Sequence, residues 1–150
     1  MSESSMRNIL LVVDSSDAGV RAAQKAVELA SDLEAKVDAA FVVDTGTLRQ
    51  LLSGKILVAE EMEEFEEDLA TGGRKYLRVA EQLATEHGVS LESHLLKGSW
   101  TAVILAEAKR MKSDLIVLGG FKYSLVKRDL VCKQKQAIID DAPCPVLIVR

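Results

Sequence analysis

Two aspartates, Asp14 and Asp44, each close an apolar run, and a glycine pair, Gly119-Gly120, closes a third. Carboxylates at the ends of neighbouring strands can act as paired acids or hold Mg²⁺, and they can equally cap the turn that follows. Behind the glycine pair, Lys122, Lys127, Arg128, Lys133 and Lys135 stand against one acid, Asp129, a local charge of +4 in a chain whose formal net charge is -4. An ammonium group meets phosphate as a point charge. The stretch therefore reads either as an anion site or as a solvated helix face whose lysine stems lie along apolar surface. His87 and His94 have no companion at the usual two-histidine ligand spacing and read as surface or internally satisfied residues. Cys144, between Pro143 and Pro145, reads as a packing residue, whereas Cys132 lies among basic residues that lower a thiol pKa when close. Two cysteines are too few for a disulfide framework. Trp100 reads as a packing anchor or a stacking surface. The chain carries no Ser-His-Asp, Walker, Cys-x-x-Cys or His-Glu-x-x-His pattern, so no catalytic residue and no metal site is assigned.

The elements that position these residues follow from hydrophobic spacing. Ile9-Leu10-Leu11-Val12-Val13 is a short apolar run that predicts a strand buried on both faces. From Asp17 to Leu33 the residues Val20, Ala23, Ala26, Val27, Ala30 and Leu33 recur at three- and four-residue steps, which predicts an amphipathic helix capped by Ser16 or Asp17. Lys36 to Val43 predicts a second strand, and Thr45 to Lys55, with Gly46 and Gly54, a connection. Glu60 to His87 has helical spacing and closes on Gly88; its Gly72-Gly73 pair marks a kink or close packing. The acidic cluster Glu60 to Asp68 at its start reads as a solvated face, favourable beside the helix N-terminus. Val89 to Leu96 predicts an edge strand, Ser99 to Met111 a helix, Leu115 to Leu118 a strand, a stretch ending at Ile139 a last helix, and Val146 to Val149 a last strand.

Strands alternating with helices imply an α/β fold of three layers, a five-stranded parallel sheet covered on both faces, within one domain over 1–150 whose first six residues are disordered. In the half-Rossmann order 3-2-1-4-5 the direction of winding reverses between the first and fourth strands, and ligands bind at that crevice beyond the strand ends. The predicted site is then Val12, Val13 and Asp14 on one side, Leu118, Gly119 and Gly120 on the other, with Val42 at the end of the neighbouring second strand. At 48% hydrophobic residues the chain can bury a core, and its acidic balance argues against nucleic acid and anionic membranes as partners. The opening apolar run is too short for membrane insertion, and a cytoplasmic location is expected.

The segments Ile9 to Asp17 (ILLVVDSSD), Asp114 to Gly119 (DLIVLG) and Ala142 to Arg150 (APCPVLIVR) resemble the opening, fourth and closing strands of universal stress proteins, and the resemblance spans nearly the whole chain. It implies the adenine nucleotide alpha hydrolase-like fold and a homodimer formed through the last strand, Val146, Leu147, Ile148 and Val149. In ATP-binding members of that family a motif runs Gly, two residues, Gly, nine residues, Gly, then Ser or Thr. Here those positions hold Gly119, Lys122, Cys132 and Lys133, so one glycine is retained. A phosphate cradle of backbone N–H groups often needs angles that a Cβ penalises by about 1–3 kcal/mol, a 5- to 150-fold loss of affinity on the order of each replacement. Exposed lysines contribute about 1 kcal/mol or less apiece and do not restore the cradle. The expectation is a homodimeric stress-response module without ordinary ATP binding and without a cofactor. The alternative is an ATP- or AMP-binding member in which Asp14, Gly119, Lys122 and Lys133 hold the ligand by charge. A third reading, an enzyme acting on a nucleotide, lacks a positioned nucleophile or base.

Overall fold

The chain is described by a computed structural model over residues 6–55, 58–120 and 128–150, with the backbone alone at 47, 51 and 128–132. In chain order the elements are β1 (Asn8–Val12), α1 (Asp17–Leu33), β2 (Lys36–Asp44), α2 (Thr45–Ser53), α3 (Ala59–Glu86), β3 (Leu91–Gly98), α4 (Trp100–Arg110), β4 (Leu115–Gly119), α5 (Arg128–Asp141) and β5 (Val146–Val149). The five strands form one parallel sheet in the order β3-β2-β1-β4-β5, as the sequence pattern predicts.

Strand side chains alternate between two cores. Ile9, Leu11 and Val13 of the first strand, with Leu115 and Val117 of β4, pack under Ala22, Ala23, Ala26 and Ala30 of α1 and Leu77 and Ala80 of α3. Leu10, Val12, Ala40, Val42, Ile116 and Leu118 point the other way, under Ile104 and Ala108 of α4 and Ile138 of α5. The row of alanines on α1 lets its backbone lie close to the sheet. Burying both faces explains why β1 and β4 are continuous apolar runs rather than alternating ones.

Local chemistry ends the elements. Ser16 caps α1 through its hydroxyl, which accepts from Gly19 N at 2.9 Å, and Glu34 closes the helix in the left-handed conformation at φ 54°. Gly88, at φ 66°, follows α3 as expected. Gly73 marks close packing: a Cβ there would stand 2.3 Å from Cδ1 of Phe41. The segment Thr45–Ser53 is a helix rather than the connection its glycines suggest. Its buried anchor is Leu48, and a Cβ on Gly46 in its first turn would lie 3.3 Å from the Asp44 carboxylate and at ordinary contact distance, 3.5 Å, from Ser99 Oγ. Strand β3 runs on to Gly98, past the expected end at Leu96, because Lys97 and Gly98 continue the register against Val43 and Asp44. Among the described residues no helix is long and apolar enough to cross a membrane. Of the six leading residues expected to be disordered, 1–5 lie outside the described residues, and Met6 packs against the α1-side core.

Candidate functional site at the β1–β4 crevice

The winding of the sheet reverses between β1 and β4, whose pairing runs through Ile9↔Leu115, Leu10↔Ile116 and Leu11↔Val117. The predicted residues gather at the carboxyl ends of these strands but do not form one lining. Val12, Val42 and Leu118 share the α4/α5 side and are 2%, 7% and 1% exposed, beneath Ile104 and Ile138. Val13 points to the opposite face, into the α1-side core. Alternation along a strand accounts for the split, since neighbours cannot face the same way.

Asp14 leaves the strand end half-buried and turns onto its own loop. Its Oδ1 accepts from Ser16 N at 2.8 Å and from Ser16 Oγ at 2.5 Å, and the same hydroxyl accepts from Gly19 N. The carboxylate lies so near the first turn of α1 that a Cβ on Gly19 would stand 2.1 Å from it. A negative charge there is favoured by the unpaired N–H groups of the helix N-terminus. Asp44 is engaged separately, its Oδ2 accepting from Gln134 Nε2 of α5 at 3.0 Å. The two aspartates thus take the turn-capping and anchoring roles, each with its own partner.

Gly119 is buried, and the reason lies in α1. A Cβ on Gly119 would meet Gly19 N at 2.9 Å, Ala18 C at 3.0 Å and Gly19 Cα at 3.1 Å. These are backbone atoms of a capped helix turn, so absence of a side chain at Gly119 is a packing requirement whatever else the residue does. On the other side of this strand end, Lys135 of α5 is 7% exposed and its Nζ donates to Gly119 O at 2.6 Å and Gly120 O at 3.1 Å. Lys133, two residues earlier, is exposed, as a solvated face requires. Lys122 and Lys127 lie outside the described residues, as do the side chains of Arg128 and Cys132.

The basic stretch thus divides. Lys135 sits three residues before the buried Ile138, and that spacing places it on the inward stripe of α5, a signal available in the sequence. Ser16, which holds Asp14, was marked in the sequence as a helix cap, whereas Gln134, which holds Asp44, had no distinguishing signal. Trp100 packs against the α4-side core as an anchor. Cys144 joins the same core; burial chiefly, then the charge of Asp114, pushes its thiol above the ordinary value, the opposite of an activated thiolate. His87 Nδ1 lies 2.9 Å from Leu83 O at a helix end, and His94 Nε2 lies 3.0 Å from Asp38 Oδ1, so both histidines are satisfied internally. In the acidic cluster Glu66 pairs with Lys97 at 2.8 Å, while Glu67 and Arg74 meet at 3.6 Å on solvated surface.

This sheet order, with helices on both faces and a crevice at the reversal, defines an adenine nucleotide alpha hydrolase-like α/β protein. Among solved structures, UspA from Lactobacillus plantarum superposes with a TM-score of 0.68 at 29% identity, covering 96% of this chain and 97% of that one. A universal stress protein from Archaeoglobus fulgidus, solved in complex with dAMP, gives 0.65 at 19% identity over 97% and 98%. In sequence, a universal stress protein of Methanocaldococcus jannaschii is 30% identical over 149 residues, 99% of this chain and 84% of the relative. Residues 6–150 match the profile of the Universal stress protein family, and the chain belongs to that family.

Proposed function

We propose that this chain is a non-catalytic, homodimeric regulatory member of the family that does not bind ATP through a glycine phosphate loop. The observation that carries the reading is the state of the β4 terminus. Its one retained motif glycine is packed against the first turn of α1, and the N–H of Gly120, a donor an anion would need, is taken by Val149 O at 2.6 Å. Lys122, Cys132 and Lys133 stand where the other motif positions fall. An amide nest needs bare backbone facing the anion, and residues that carry a Cβ disfavour the backbone angles it uses.

Dimerisation through β5 is supported by its place at the sheet edge, where unpaired backbone groups favour pairing with a second copy across a two-fold axis. The Pro145 and Val149 carbonyls accept from Ile116 N of β4 and from Gly120 N just beyond its end. Alternation then turns the N–H and C=O groups of Val146 and Ile148 outward, toward the partner strand.

A second reading has its own support. The Archaeoglobus fulgidus relative was solved with dAMP, and Asp14 and Val42 stand at the crevice of this chain, with the exposed Lys133 on α5. On that reading AMP or ATP is held by charge. Thermal-shift titration with ATP, AMP and inorganic phosphate separates the two, because a ligand that binds the folded state raises its apparent stability. The proposal expects no ATP-specific rise in Tm. A rise with ATP or AMP that disappears in Lys133→Ala or Lys122→Ala overturns it in favour of charge-held nucleotide.

A further inference from the structure

Away from the crevice, the α4 side of β2 and β3 carries a cluster that plays no part in the nucleotide reading. The register sets Asp38 opposite Glu92 and Ala40 opposite His94, so Glu92 and His94 share one face of β3 and Asp38 lies beside them on β2. One ligand atom from each of the three residues lies within 4.8 Å of the others. Asp38 is only 5% exposed, and its Oδ1 meets His94 Nε2 at 3.0 Å, while its Oδ2 accepts no hydrogen bond among the described residues. Glu92 is exposed and, among the described residues, makes neither a hydrogen bond nor an ion pair.

The surrounding charge is unbalanced. Glu107 of α4, 8% exposed, is occupied by Arg110, which donates to it from Nε at 3.2 Å and from Nη2. Three carboxylates against one guanidinium leave a net charge of -2 around a histidine. Carboxylates directly opposite on paired strands destabilise the pair, and a buried carboxylate requires a compensating charge. Arg110 is hydrogen-bonded to Glu107, and its single charge, which also acts on Asp38 and Glu92, is shared among three carboxylates.

We propose that Asp38, Glu92 and His94 form a binding site for a divalent transition-metal ion of the zinc or cobalt class, with its remaining positions open to water. Two ligand atoms on a tetrahedral zinc ion stand about 3.4 Å apart, close to the separation already present between His94 and Asp38. The ion takes the place of the proton between these two groups, with the imidazole proton on Nδ1. Glu92, being exposed, is free to swing in as the third ligand. The imidazole favours zinc and cobalt over magnesium and calcium, which take oxygen ligands. Such an ion would tie the edge strand β3 to β2. A lone histidine without a second histidine at ligand spacing gives no sign of this in sequence, because Asp38 arrives from the neighbouring strand β2.

The test uses the full chain after chelator treatment, titrated calorimetrically with zinc chloride and followed with cobalt(II) by visible absorption. The expected result is one ion per chain, a raised Tm, no response to Mg²⁺, and loss of the site in His94→Ala. Glu92→Gln, at an exposed position that spares the fold, should weaken binding about 10-fold or more. His87→Ala should bind as the unsubstituted chain does. No zinc uptake at micromolar concentration, or equal affinity in His94→Ala and Glu92→Gln, overturns the proposal.

Discussion

Replacing Gly119 by alanine tests whether this residue is held by packing. The new Cβ would fall 2.9 to 3.1 Å from three backbone atoms of Ala18 and Gly19. That is several tenths of an ångström inside ordinary contact, against atoms that cannot rotate away. The turn they belong to is fixed by the bond of Gly19 N to Ser16 Oγ and of Ser16 to Asp14. Overpacking of this kind costs about 1–3 kcal/mol. A Gly-to-Ala change also stabilises by about 0.4–1 kcal/mol through the unfolded chain, which masks part of the loss. Gly72→Ala isolates that gain, since a Cβ at Gly72 has nothing within 4 Å. The difference in stability between the two variants then reports the contact itself, about 1–3 kcal/mol, or about 2–12 °C in Tm for a chain of this size. Thermal and urea denaturation of the two variants side by side is the assay. If Gly119→Ala proves as stable as Gly72→Ala, the first turn of α1 does not pin this glycine and the packing explanation fails.

Two further outcomes are expected. Ile148→Pro removes an outward N–H of β5 while leaving the bonds to β4 in place, so it should convert the dimer to monomer in light scattering with the fold retained; an unchanged dimer would place the interface elsewhere. The Cys144 thiol, pushed above the ordinary thiol value mainly by burial, should alkylate more slowly at neutral pH than a free thiol, and alkylation at the free-thiol rate would contradict its burial. With the folded value above the unfolded one, stability from keeping this thiol neutral is full below the ordinary thiol pKa. It is lost as pH rises through the folded value, a loss absent in Cys144→Ser.

The sheet was legible because burial on both faces forces β1 and β4 into unbroken apolar runs, and because α1 repeats small residues at helical steps. Their alternation fixes the topology, and the topology fixes where a crevice must lie. Helix α2 was not legible: its evident inward anchor is Leu48, and the glycines beside it look like breakers although Gly46 lies in the helix's first turn. At the site, residue type located Asp14 and Gly119 but not what they touch. Whether a strand-end carboxylate faces a ligand or its own loop depends on a serine two residues away. Whether a lysine is solvated or buried depends on its phase relative to Ile138. The basic stretch read as one surface because charge counts carry no phase, and the register-dependent meeting of Asp38 with His94 involves residues from strands whose pairing offset no local pattern specifies.

Native mass spectrometry of freshly purified protein tests the central claim most directly, since it reads assembly and retained ligand together. The account predicts a dimer that carries no nucleotide, and no mass gained on addition of ATP. A dimer carrying ATP or AMP in stoichiometric amount would show that the β1–β4 crevice still binds nucleotide without its glycine loop, and would contradict the account.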